Sequence, residues 1–435
     1  MINEKLLFLT HTDCGIPSLK KHGLGIGPNS DLDVLYIQPL KEIFLKVNIY
    51  DMWKSYAEIG VRKANEAIID IVRQEQPRYL LWHSMMYEVL ESTFQAIRQQ
   101  GTRVLGWFSD DEVIFNDYSR WWVPYLDYCL TVDKEAVKQY EILGAKAFHV
   151  VMGANHKIFK KLSLPSRYNV TFVGRKFGNR GEWIEQLGKR GVNILAFGRG
   201  WNVGHISTDE LVKIFNVSKI NLCFVQSYGL NTRPQLKARI FEICMSGGFL
   251  LCEYLVGIEE FFEVGKEIET FTDMEDATEK IRFYLAHETD RQKIAEAGWQ
   301  RARRDHTQVG RFQRIFADIE RDMQIGHRIG VHEGKQLSLP THIRRLPSTW
   351  HLNWAKGLMI EGYPKERWQE ELELSLRYDP ENTQARRFQM IGYFPAFVRP
   401  FLINLLMVIK SLIRLLHNRA ARVPALRKAK RAIFN

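Results

Sequence analysis

The sequence predicts an α/β protein with two Rossmann-like domains in tandem, followed by a helical hairpin and a basic, amphipathic carboxy-terminal tail. Three observations carry this expectation. Short apolar runs alternate with amphipathic helical patterns through the first half of the chain, the signature of a parallel, doubly wound sheet. The alternation restarts at Asn169 after residues 153–167, which contain Pro165 and several lysines and read as a linker. A chain of 435 residues, 45% hydrophobic and 12% aromatic, has core enough for two or three domains and is not mainly disordered. The division that follows is 1–160, 161–325, a helical linker over 326–390 and a tail over 391–435.

The first domain opens with a strand at 5–10. The preceding MINEK and the short run LLFLT pass directly into turn residues, which fits a first strand and not a signal peptide. Further strands are expected at 33–37, 78–82, 103–108, 128–132 and 147–152. Helical periodicity covers 57–74, 86–100 and 134–143, the last closed by Gly144. In the second domain the strands are 169–174, 193–198, 220–225 and 249–252. A helix that starts near Leu236 is apolar through Ile240, Phe241, Ile243, Cys244 and Met245, and stops at Gly247-Gly248 before the last of these strands.

Ligands of open α/β sheets sit beyond the carboxyl ends of the strands, so the polar residues that follow each run are the site candidates. In the first domain these are His11 and Asp13 after the first strand, His83 after the third, and Asp110 and Asp111 after the fourth. In the second they are Gly174, Arg175 and Arg180 within FVGRKFGNR, and Gly198 within FGRGW. Glycine lets a backbone approach a ligand closely, and arginine reaches phosphate oxygens. Asp110 and Asp111 equally suit a helix cap, and Arg180 alone equally suits a solvated basic loop.

Lys237, Arg239 and Glu242 fall on about one turn at the start of the helix that ends at Gly247. Helix-end amides and cationic side chains attract a diphosphate, while a carboxylate one turn further in accepts hydrogen bonds from a ribose diol. A nucleotide-sugar site needs both. Spacing alone also fits a surface ion pair between Arg239 and Glu242.

From Arg239 to Thr307 the landmarks Arg239, Phe241, Glu242, Gly247, Gly248, Gly257, Glu259, Phe262, Gly265, Lys266, Glu267, His306 and Thr307 occur in order. This resembles the carboxy-terminal half of GT-B glycosyltransferases, specifically the CgeB-like group. The resemblance implies two Rossmann-like domains facing a cleft, a donor site in the second domain, and a final helix, here near 309–323, that crosses back to the first. It implies a sugar moved from a nucleotide-diphosphate sugar, UDP- or GDP-linked, to an acceptor hydroxyl on a glycan or lipid-linked molecule, with no cofactor. FGRGW is similar to the family's G-x-G-W segment near the donor. A histidine directly after the first strand resembles the general base of inverting members, which gives His11, supported by Asp13, the role of removing the acceptor proton; His83, Asp110 and Asp111 are its competitors. The paired glutamates of many retaining members are absent in their usual form, since counting from Glu242 meets Gln235 and Leu250. Asp31 and Asp33 superficially match the D-x-D metal motif of the other large glycosyltransferase fold, but they follow GPNS and read as turn and cap residues. No metal site is expected, and helix amides with Arg175, Lys237 and Arg239 would neutralise the leaving diphosphate. The rival readings are a nucleotide-sugar epimerase or hydrolase on the same fold, and a non-catalytic scaffold.

The net charge of +11 is localised. Residues 391–435 hold nine Lys or Arg and no acid, which leaves 52 basic against 50 acidic groups in the rest. A balanced body does not favour nucleic-acid binding. The tail places Leu402, Leu405, Leu406, Ile409, Leu412, Ile413 and Leu416 on a broad apolar helical face ahead of a cationic cluster, and its longest apolar stretch is too short to span a bilayer. It reads as an interfacial anchor on anionic lipid, which places the protein in the cytoplasm against the inner face of the membrane. The scattered cysteines, Cys14, Cys129, Cys223, Cys244 and Cys252, suit a reducing compartment. Residues 354–387 resemble one tetratricopeptide-type helical hairpin, too little for a solenoid.

Overall fold

The computed structural model describes residues 2–11, 14–20, 32–84, 86–204, 206–226, 233–325 and 340–392, together with Phe401, Leu402, Leu405 and Val408. The first domain is a six-stranded, all-parallel sheet in the order β2-β1-β3-β4-β5-β6. Its strands are β1 (Ile2–Thr10), β2 (Phe44–Asp51), β3 (Tyr79–His83), β4 (Arg103–Phe108), β5 (Tyr128–Thr131) and β6 (Ala147–His149). The helices between them are α1 (Pro17–Lys20), α2 (Gln38–Ile43), α3 (Met52–Ile59), α4 (Val61–Glu75), α5 (Glu91–Gln99), α6 (Asp111–Ile114) and α7 (Lys134–Ile142). Central strands such as β3 are buried at every position, as a sheet covered on both faces requires.

One expected strand is wrong. Residues 33–37 form a π-helical turn, Asp33–Ile37, that runs directly into α2, and the second strand is β2 instead. Asp-Val-Leu-Tyr-Ile has strand-like composition, but Val34 and Tyr36 bury themselves from a helix, and Pro39 at the start of α2 suits helix continuation. β2 is an edge strand that is largely exposed, so its Leu45, Val47 and Ile49 alternate with polar neighbours and never form a continuous apolar run. The helix expected over 57–74 is two helices, broken at Gly60, whose φ of +90° excludes helical continuation.

The second domain is a five-stranded parallel sheet in the order β11-β10-β9-β7-β8. Its strands are β7 (Tyr168–Val173), β8 (Leu195–Phe197), β9 (Ser218–Cys223), β10 (Leu250–Glu253) and β11 (Glu269–Phe271). They alternate with α8 (Arg180–Lys189), α9 (Thr208–Val217) and α10 (Ala238–Met245), and are followed by α11 (Met274–Ala286), α12 (Glu288–Asp305) and α13 (Gln308–Ile325). As the resemblance implies, α13 crosses back: Phe312, Phe316 and Ile319 are buried with Leu6, Phe8, Tyr79 and Leu81 of the first sheet. The His306-Thr307 landmark makes the crossing, because Thr307 bridges Ala154 of the interdomain segment and Gly153 packs so closely that a Cβ there would lie 2.7 Å from the His306 carbonyl.

Three further helices, α14 (Thr341–Ile360), α15 (Lys365–Tyr378) and α16 (Thr383–Ile391), lie against the first domain. Trp350, Trp354, Leu358 and Trp368 share one buried cluster with Trp53, Tyr56 and Ala57. The hairpin expected at 354–387 is therefore part of a helical unit whose apolar face is covered by the first domain. Leu402 packs on the same cluster, and the rest of the tail lies outside the described residues.

Candidate active site

A cavity of about 300 Å³ opens where β7 and β9 end and α10 begins. Arg175, Arg180, Lys237, Arg239 and Glu242 line it, as do Cys223 and, from the first domain, Leu35. The sequence-selected residues of the second domain thus converge on one cleft. Gly174 and Gly198 shape it from below: a Cβ on Gly198, which has φ +115°, would lie 2.6 Å from the Gly174 carbonyl oxygen. That same oxygen accepts from the indole Nε1 of Trp201 at 2.9 Å, so FGRGW clamps the turn after β7.

The cations are held differently. Arg180, the first residue of α8, is 6% exposed; its guanidinium lies 3.8 Å over the Phe177 ring and donates to the carbonyls of Arg175 (3.0 Å) and Gln226 (3.4 Å). Its Nε has no partner, and burial lowers its pKa. Lys237 stands at the N-cap of α10 and donates to the Gln235 side chain; burial lowers its pKa, with Glu112 and Asp110 of the first domain opposing. The Lys237 side chain makes no capping hydrogen bond to the first turn of α10, which begins at the cavity wall. Arg239 donates to Glu242 Oε2 at 2.6 Å, and Glu242 is buried. The ion-pair reading is therefore met, and the pair lines the cavity.

In the first domain, His11 directly follows β1 and His83 ends β3. Their rings stack at 5.4 Å with 8° between planes, with Trp53 at 4.9 Å from His11 and Tyr36 at 4.6 Å from His83. Burial lowers the pKa of His11 to about 4, with Asp51 opposing, and that of His83 to about 3, with His11 adding to the effect. Both imidazoles are therefore neutral near pH 7, and the Nδ1 of each is buried without a partner. Asp51 was invisible to the sequence reading because it ends β2, the strand that reading missed; Asp13 lies outside the described residues. The π-helical turn joins the two halves of the site, since Leu35 lines the cavity while the adjacent Tyr36 lies on His83.

Asp110 and Asp111 part company. Asp110 is solvent-accessible on the cleft wall, where the surrounding protein still raises its pKa against the pull of Lys237. Asp111 turns inward, accepts from Tyr140 Oη at 2.9 Å, and is pushed by burial up to about 7. The alternative reading of the pair as a helix cap is not met: Asp110 is the N-cap residue of α6 but makes no side-chain cap hydrogen bond, and Asp111 is the first helical residue. The domains also touch at the cleft: Gln235 Nε2 donates to the Ser109 carbonyl at 2.6 Å, Arg233 pairs with Asp133, and Lys134 pairs with Glu260 at 2.6 Å. Among the described residues no group of three or more His, Cys, Asp or Glu could hold a metal ion. Asp33, from the D-x-D-like sequence, accepts from its helical neighbour Gln38 at 2.7 Å.

Two parallel-sheet domains that share a crossover helix, with a cationic cavity at the head of one helix, define a GT-B fold, and the second domain is similar to glycosyltransferase family 1-like proteins. Residues 175–317, which contain nine of the thirteen residues lining the cavity, match the glycosyl transferase-like family. The chain is 23% identical over 220 residues to the spore protein CgeB of Bacillus subtilis, an alignment covering 44% of this chain and 68% of the relative. The crystal structure of Anabaena HepE in complex with UDP-glucose superposes with a TM-score of 0.50 at 10% identity, over 73% of this chain and all of the other. Sucrose-phosphate synthase from Thermosynechococcus elongatus gives 0.49 at 11% identity, over 74% of this chain and all of that one.

Proposed function

We propose that the protein transfers a sugar from a nucleotide-diphosphate sugar to a hydroxyl of a glycan or lipid-linked acceptor in surface glycan or glycolipid synthesis. The observation that carries this reading is the cavity at the head of α10, where Arg175, Arg180, Lys237 and Arg239 surround one buried carboxylate, Glu242. The cations and the first-turn amides of α10 bind the diphosphate, and Glu242 accepts from the ribose diol. In this reading the acceptor oxygen attacks the anomeric carbon, its proton passes to neutral His11, and the bond to the diphosphate oxygen breaks. The negative charge that develops on the leaving group is met by the same cations, so the scheme requires no divalent cation. His83 stacks on His11 and fixes its plane.

The tail contributes location. Phe401, Leu405 and Val408 are exposed at helical spacing, and the cations that follow them in sequence suit an anionic inner leaflet. Among the described residues no helix is long and apolar enough to cross a membrane, so the proposed attachment is peripheral.

Calorimetry with UDP and with GDP tests the donor site, and UDP-glucose is the first sugar donor to try. Binding of one of them, lost in Arg239→Ala, supports the reading. Failure of both to bind the intact protein overturns it.

A further inference from the structure

The carboxy-terminal helices touch the first domain at two places, one in contact with His11 and the other following it in the chain. One is α3, whose Trp53 lies against the His11 ring. Arg367 of α15 caps the last turn of α3: its guanidinium donates to Glu58 O at 2.6 Å, to Ala57 O at 2.8 Å and to Tyr56 O, which also accepts from the Gly60 amide. The Tyr56 ring is held by Trp350 and Trp354 of α14, at 5.8 Å and 5.4 Å.

The other place is α1, a few residues beyond His11. The Ser18 amide donates to Glu361 Oε1 at 3.0 Å, and the Ser18 hydroxyl donates to Gly357 O at 3.1 Å. Leu19, fully buried, sits on Gly357 so closely that a Cβ there would lie 2.2 Å from Leu19 Cδ2 and 2.7 Å from Cγ. Gly357 is in the body of a 20-residue helix, where a glycine costs about 1 kcal/mol relative to alanine. Its φ is not positive, so no backbone conformation requires it; the contact with Leu19 does.

We propose that the helical unit α14–α16 is a positioning element of the candidate active site, holding both supports of His11, with Gly357, Leu19 and Arg367 as the positioning residues. Its importance for turnover rests on the reading of His11 as proton acceptor; its effect on the placement of His11 does not.

The test is a size swap in the full-length protein. Gly357→Ala should push α1 away and loosen His11, which is 3% exposed. Carbethoxylation of His11 by diethyl pyrocarbonate, followed by mass spectrometry, should then rise several-fold while UDP affinity stays within about twofold of the starting protein. Adding Leu19→Ala removes the atoms that the new methyl meets and should return the labelling rate close to its original value. UDP release from UDP-glucose should fall roughly 10- to 100-fold in the single variant and recover in the double, the size of loss that a small displacement of a catalytic group causes. Arg367→Gln, which uncaps α3, should raise His11 labelling by an independent route. Unchanged labelling in both Gly357→Ala and Arg367→Gln overturns the proposal, as does a parallel loss of UDP affinity or a failure of Leu19→Ala to restore. Normal UDP release by His11→Ala would remove only the proton-acceptor reading, and the labelling results would still decide the placement claim.

Discussion

His11 and Glu242 show how burial turns ordinary residue types into usable groups. A solvated histidine is half-charged near pH 6.5, whereas His11, held at a pKa of about 4 by burial, is neutral and able to accept a proton throughout the neutral range. His11→Ala should lower turnover by about 10²–10⁴ with UDP affinity unchanged. The kcat/KM profile of the unaltered enzyme should show no histidine ionisation between about pH 5 and 8. A limb near 6.5 would mean that the working histidine is solvated, and near-normal turnover of the variant would move the role to Asp110, the carboxylate on the cleft wall. Glu242 accepts from Arg239 at 2.6 Å, so in the proposed donor site a nucleotide would meet an existing ion pair. Glu242→Ala should cost about 1.5–3 kcal/mol of nucleotide affinity, because it removes a charged hydrogen-bond acceptor from a buried setting. Unchanged affinity with an intact fold would reduce the pair to a local helix contact.

At the scale of elements, the sequence exposed those whose pattern is set by burial on both faces, and hid those set by their neighbours. β1, β3, β4 and β5 were legible because buried parallel strands are continuous apolar runs. β2 and β11 were not: the first is a half-exposed edge, and the second is three residues long. The π-helical turn could not be read at all, since its helical state depends on burying Val34 and Tyr36 in two different clusters. The donor half of the site was legible because helix-start chemistry is local; the other half was only partly so, because Trp53, Tyr36 and Asp51 reach the histidines through tertiary packing. The role proposed for the tail depends on surroundings outside the protein. Its exposed Phe401, Leu405 and Val408 and its nine cations should hold the protein on anionic vesicles, each basic group near the surface adding about 1 kcal/mol. A chain ended at Tyr393 should lose flotation with anionic vesicles and keep UDP binding. Equal flotation of the two chains would make the tail an ordinary packed helix.

The molecule as a whole carries two kinds of buried titratable group, and they make opposite demands on pH. His83, in the cleft wall, has a folded pKa of about 3 against an ordinary 6.5, so between those values the unfolded chain binds a proton that the folded chain refuses. Its contribution to stability is complete above about pH 6.5 and is lost as pH falls, by up to about 1.4 kcal/mol per pH unit. His11 and His306, each lowered to about 4 by burial, act in the same direction from opposite domains. Asp111, raised to about 7, behaves in the reverse sense: the folded chain keeps a proton that the unfolded chain releases above the ordinary 3.8. Its contribution is present at low pH and is lost as pH rises toward about 7. Denaturant unfolding measured at several pH values between 4.5 and 6.5 separates them. His83→Phe, which keeps an aromatic ring in the stack, should flatten the fall of stability with acid by about 1.4 kcal/mol per pH unit, and Asp111→Asn should steepen it by about as much. If the two variants shift the slope in the same direction, or leave it unchanged, the buried histidine and carboxyl are not in the charge states that place them in this fold.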